Sequence, residues 1–270
     1  MYEIACLLVF LAAYLLNICY ITVFYHRGLT HGALEMSPRM RSFVGKTGIW
    51  ITGLDPKGWS CMHRLHHRFS DEPKDPHSPV HKGFFMIAFE QLQSYKRVLR
   101  GLIRREAAYT QLVSDLGDLK VSSINKSGRW YLPYLLHIAI GAVIAFVFDA
   151  KLLGAAYFLG IMSHPVQGWM VNSMGHSLGY RNFNTADNSK NNSLVAWLVA
   201  GEGYQNNHHR YPRAVKFSMR WWEVDWGYTM CQALALVKVV KFEAPSSLRA
   251  IDRPEAWDLS VVSNVAAPQN

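Results

Sequence analysis

Charge is scarce in this chain. Only 17% of its 270 residues are Asp, Glu, Lys or Arg, against about a quarter in an ordinary soluble domain, so part of it is expected to meet lipid. With 50% hydrophobic residues, disorder is excluded. Cysteine is equally sparse: Cys6, Cys19, Cys61 and Cys231 stand far apart with no CxxC pair, which argues against a disulfide framework, a thiolate zinc site or an iron–sulfur cluster. No GxGxxG opens a nucleotide-binding fold and no haem domain is fused. No repeat, low-complexity tract or Gly/Ser linker divides the chain either. A single domain over 1–270 is expected, with a loosely attached tail at 243–270.

Long apolar runs are what the chain does have. Residues 4–24 carry no charge and are long enough to cross a hydrocarbon core of about 30 Å. They lack a basic n-region and a small-residue cleavage site, so they read as a retained anchor. Residues 131–148 and 152–171 qualify as two further spans joined by a tight turn. The run Tyr228 to Val240 is too short to cross upright, and Trp221, Trp222 and Trp226 beside it read as interfacial anchors. Arg41–Leu54 and Phe84–Arg100 mix apolar with basic residues, the pattern of helices lying on a bilayer surface.

Basic residues set the sidedness. Residues 25–130 hold 17 Lys+Arg and residues 172–270 hold 10, with Lys151 alone on the other side. Three spans then place both basic segments in the cytoplasm. The net charge of +9 accordingly reflects lipid proximity, and no nucleic-acid partner is expected, because the aromatics cluster at membrane edges. The fold class read from this pattern is an all-α membrane protein: transmembrane helices with a cytoplasmic helical cap at 25–130 and 172–242.

Twelve histidines are the second abundance, and ten fall in that cap. They cluster as HRGLTH at 26–31, HRLHH at 63–67, NSMGH at 172–176 and NNHH at 206–209. At 100° per residue His63 and His67 lie about 40° apart on a helix and can grip one ion, while His66 faces away towards a second. Imidazole suits zinc, copper, iron and nickel, and eight clustered rings exceed the need of one tetrahedral zinc. Two redox-capable ions, iron foremost, fit this count. His77, His81, His137 and His164 stand alone and take the plainer reading of surface or hydrogen-bonded residues, with His137 and His164 of added interest as ionisable groups inside spans.

These boxes, with GEGYQNNHHRYP around the last, HHRFSDEPKDPHSP after the second and GHSLGYRNF after His176, resemble membrane fatty-acyl desaturases of the delta-9 type from about Tyr25 to Val240. The resemblance implies two iron ions held by His26, His31, His63, His66, His67, His176, His208 and His209, with Asn172 linked through water. It implies an O2-dependent enzyme that introduces a cis double bond into a long-chain acyl group. Its substrate would be carried on CoA, acyl carrier protein or phospholipid, and its electrons would come from an external cytochrome, ferredoxin or rubredoxin-like donor. Two departures stand out. The first position of the third box, usually histidine, is Gln205, which either ligates through its carbonyl or leaves a water in place. Three spans are found where the family commonly has four. Trp59, Phe69, Trp169 and Trp197 are candidate walls of an acyl tunnel. A hydroxylase with the same boxes is the alternative, and a metal-sequestering or metal-transporting protein is disfavoured because the clusters lie outside the spans.

Overall fold

The first apolar run forms one continuous helix that extends beyond its hydropathic end. In a computed structural model, which describes residues 1–242, α1 (Tyr2–Cys19) passes without a break into a π-helical segment, Tyr20–Thr30. Hydropathy stops at the first charge, but the helix continues because Arg27, fully buried, is paired with Glu202 and Asp225. This 29-residue helix is long and apolar enough to cross a membrane.

Two helices follow, α2 (Pro38–Thr52) and α3 (Pro56–Phe69). Ser37 caps α2, Asp55 caps α3 by accepting from the Lys57 and Gly58 N–H groups, and proline occupies the first turn of each. Between them Gly53 takes φ +74, a left-handed conformation that closes α2 and that a side chain would strain. A short α4 (Pro79–Lys82) leads to α5 (Ile87–Ile103), followed by α6 (Ala107–Thr110), a 3-10 turn at Gln111–Leu116 and α7 (Ser123–Lys126). The mixed apolar and basic stretches at Arg41–Leu54 and Phe84–Arg100 form helices, α2 and α5, each shifted by about three residues. Their inner faces share a core with the π-helical segment, built on Val23, Tyr25, Leu29, Val44, Cys61, Leu65, Tyr95 and Leu99.

The expected hairpin is present with one difference. Helix α8 (Leu132–Ala142) continues π-helically through Val147 and turns at once into α9 (Lys151–Ile161). Their backbones touch: a Cβ on Gly154 would lie 2.3 Å from the Gly141 carbonyl oxygen, so small residues set the approach. The span read at 152–171 is not one helix. It breaks at Met162 and Ser163 and resumes as α10 (His164–Trp169), running into a π-turn at Met170–Met174. Pro165 has no N–H to offer Ile161 four residues back. That freed carbonyl accepts instead from the Asn17 Nδ2 of α1 at 2.8 Å, which explains a fully buried asparagine in an apolar helix.

The chain ends, for the described residues, with α11 (Ser193–Leu198), α12 (Gln205–Arg210) and α13 (Trp226–Leu236). Among those residues there is no strand, only isolated bridges. The tail expected at 243–270 lies outside them.

Candidate metal centre

Four elements deliver the histidines. The first pair depends on the π-helix. Five residues of α-helix would turn His26 and His31 about 140° apart, whereas π-helical bonding runs from residue i to i+5, and the His31 N–H indeed donates to the His26 carbonyl at 3.1 Å. Helix α3 carries His63, His66 and His67, the π-turn after α10 carries Asn172 with His176 two residues beyond it, and α12 carries His208 and His209.

The residues between the histidines hold these elements together. Arg64 of the second box donates to the Leu29 and Thr30 carbonyls that end the π-helix, at 3.0 and 2.9 Å, and pairs with Asp115. Arg27 of the first box reaches Glu202, Asp225 and the Val215 carbonyl and lies 3.8 Å over the Phe217 ring. Asn207 accepts from the amides of Asn182 and Asn191 and donates to the Phe217 carbonyl and Glu223. The asparagines of NNHH are therefore structural clamps that fix the two histidines after them.

The rings converge in two groups. His26, His31, His63, His67 and His208 form the first; His66, His176 and His209 form the second. In the first, Nε2 atoms approach to 3.0 Å for His26 and His208, 3.1 Å for His31 and His63, 3.0 Å for His63 and His67 and 2.8 Å for His67 and His208. Imidazole nitrogens bound at about 2.1 Å to one ion, at right angles to each other, would stand about 3.0 Å apart; a tetrahedral set would stand about 3.4 Å apart. Five nitrogens at the shorter spacing fit a metal ion of coordination number above four.

The second group shows the same design from behind. His66 Nδ1 lies 3.0 Å from Asp75, His176 Nδ1 2.9 Å from Asp71 and His209 Nδ1 2.5 Å from Asp187. Each carboxylate fixes one ring nitrogen and leaves Nε2 without a hydrogen-bond partner, buried, among the described residues. His26 in the first group is held likewise, Nδ1 to Glu202 at 2.6 Å. Imidazole, with a carboxylate behind it, is the usual arrangement of a metal ligand. The sequence reading missed all four carboxylates, since Asp71, Asp75, Asp187 and Glu202 sit at no fixed spacing from the rings they hold.

Electrostatics follow the geometry. Burial first, then neighbouring imidazoles, keep His31, His63, His67 and His208 well below the usual histidine range, hence neutral and able to ligate. Burial also lowers His209, to about 4. His66 moves the other way: burial opposes its charged form, but Asp75 more than offsets it. Asp71 is brought to about 2 by the His176 contact, which outweighs its burial.

Gln205 is buried on α12, and its amide nitrogen donates to the Glu202 carbonyl at 2.7 Å. Asn172 lines a cavity of about 240 Å³ that also meets His26 and His63. The other walls are mainly apolar, among them Ile21, Leu92, Tyr95, Trp130 and Tyr134. Of the four tunnel candidates, Trp59 lines this cavity. Phe69 packs at the edge of the core, Trp169 donates to the Phe84 carbonyl, and Trp197 is 63% exposed on α11. Hydropathy and aromatic type could not separate these four, because the cavity exists only where the π-helical segment, α3, α5, α8 and α10 meet. His137 takes its plainer reading, with Nδ1 2.6 Å from the Tyr157 hydroxyl and Nε2 2.6 Å from the Trp50 carbonyl. His81 lies 3.0 Å from the Asp71 carbonyl, and His164 lies 3.3 Å from the Tyr134 hydroxyl.

The family model described as fatty acid desaturase matches residues 4–228. The acyl-CoA 5-desaturase AL21 of Anemone leveillei is 31% identical over 211 residues, covering 76% of this chain and 60% of its own. The delta-9 acyl-lipid desaturase 1 of Arabidopsis thaliana is 29% identical, covering 80% of this chain and 68% of its own. The sn-1 stearoyl-lipid 9-desaturase of Anabaena variabilis is 28% identical, covering 80% and 75%. This chain thus spans about 60% of the length of the Anemone enzyme.

Proposed function

The chain belongs to the fatty acid desaturase family, and we propose that it is an O2-dependent desaturase that places a cis double bond in a long-chain acyl group. The observation that carries this reading is the meeting of an apolar cavity with the first imidazole cluster, whose His26 and His63 line it. The overall reaction removes one hydrogen from each of two adjacent carbons and, with O2, two electrons and two protons, yields two waters.

In this reading His26, His31, His63, His67 and His208 would hold one iron and His66, His176 and His209 a second, with Asn172 as the water-linked residue. The two irons, when bound, supply the O2 chemistry strong enough to take hydrogen from an unactivated methylene. The protein's own tasks are positional. Glu202, Asp71, Asp75 and Asp187 aim the rings, so that little reorganisation accompanies turnover. Trp59, Tyr95 and the other cavity walls exclude water and hold the chain with one pair of carbons beside the clusters. The buried Arg27 and Arg64 lock the π-helix and α3 in register.

Electrons come from an external donor, a cytochrome, ferredoxin or rubredoxin-like protein, since the sequence holds no cluster, haem or nucleotide motif for them. The long α1 helix and the α8–α9 hairpin are assigned to the bilayer, and the histidine side to the cytoplasm. Chain length, acyl carrier and bond position are read by one experiment. The full chain is expressed in cells supplied with saturated fatty acids, and their lipids are resolved by gas chromatography. A new cis-monounsaturated acid is expected; a hydroxylated acid, or an unchanged profile from well-expressed, iron-loaded protein with a competent donor, overturns the reading.

A further inference from the structure

The two clusters are unequal: five imidazoles converge in the first and three in the second. Beside the second stands a ring with no role so far. His77 is 2% exposed, and both of its ring nitrogens are buried with no hydrogen-bond partner among the described residues. A neutral imidazole has one donor and one acceptor, and a folded interior rarely leaves both unmet. The ring stacks on His66 with centroids 4.5 Å apart, and one of its nitrogens lies within 4.8 Å of His66 and Asp75 ligand atoms. Asp75 ties the pair together by accepting from His66 Nδ1 and from the His77 backbone N–H, both at 3.0 Å.

We propose that His77 is a further ligand of the ion held by His66, His176 and His209, bringing that centre to four imidazoles. The inference rests on the two-ion reading of the clusters. Among the described residues no hydrogen bond occupies either nitrogen of His77, so each keeps its capacity for an ion beside His66. The carboxylates of Asp71, Asp75 and Asp187 behind this cluster favour a cation there. Gln205 spends its amide nitrogen on the Glu202 carbonyl, so only its weaker carbonyl oxygen is left to offer beside the imidazole of His77.

The test uses the full chain purified in detergent and loaded with Co2+, with metal titration and absorption spectra as readouts. In H77A the second ion is expected to bind at least about tenfold more weakly while the first is unchanged. In H77C, a thiolate-to-cobalt charge-transfer band absent from the wild type is expected, a signature that a merely structural residue would not give. If H77A fails to fold, H77C decides. Unchanged binding of the second ion together with no new band in H77C overturns the inference. A wild-type chain that binds fewer than two ions fails the two-ion reading itself, and is thereby told apart.

Discussion

His26 Nε2 and His208 Nε2 lie 3.0 Å apart although 182 residues separate them in the chain. His26 commits Nδ1 to Glu202, which leaves Nε2 with a lone pair to offer, and both rings are buried. Their approach is what two ligands of one ion require.

His67 touches two partners of the first cluster, with Nε2 3.0 Å from His63 and 2.8 Å from His208. His67→Ala is expected to abolish the monounsaturated product while leaving expression intact. Lipid analysis of expressing cells checks it; product at the wild-type level would remove His67 from the site.

Glu202 serves two buried groups, His26 and Arg27. Glu202→Gln keeps the shape and removes the charge. Affinity of the first cluster for its ion is expected to fall by about 10–100-fold. Loss of one of the two carboxylates on the buried Arg27 guanidinium lowers stability as well, by a few kcal/mol at most, since Asp225 still pairs with it. Metal titration and denaturant unfolding in detergent separate the two effects, and an unchanged metal affinity would deny Glu202 its orienting role.

Leu92 lines the cavity from α5, an element that carries none of the clustered histidines. Leu92→Trp fills part of the space, so turnover is expected to shift towards shorter chains at constant metal content. Product distributions from a series of acyl lengths measure this shift. A uniform loss across all lengths would mean that the cavity does not hold the chain.

Acid sensitivity follows from the neutral rings. In the metal-free protein His31, His63, His67 and His208 titrate well below 6.5 and His209 at about 4, while the unfolded chain takes up protons near 6.5. Below about pH 6.5 the unfolded state therefore binds more protons, and stability falls as pH drops, by up to about 1.4 kcal/mol per pH unit for each such ring. Melting temperatures of the metal-free chain between pH 7.5 and 5 should decline. A flat or rising curve contradicts the burial of neutral imidazoles.

Much of the site was legible because helical spacing is local. HRLHH gives His63 and His67 one face and His66 another, and the structure sends them to different clusters. The five-residue step in HRGLTH was recognised as a box, yet its geometry depends on a π-helix that α-helical periodicity does not foresee. Partners from distant segments were invisible: Asp187 meets His209 through a loop, and Asn17 meets Ile161 only because Pro165 frees a carbonyl. Hydropathy found the apolar runs but not the break at Met162 and Ser163, since a proline costs a hydrogen bond without changing the average polarity. His77, read as a plain surface or hydrogen-bonded residue, shows the same limit, for its burial comes from the loop after α3 folding back under His66.

Iron content per chain, measured on the purified wild type beside His67→Ala and His176→Ala, bears most directly on two separate clusters. Two irons in the wild type and one remaining in each variant are the predicted values. A wild type holding one iron or none, or a variant that loses both while still folded, would contradict it.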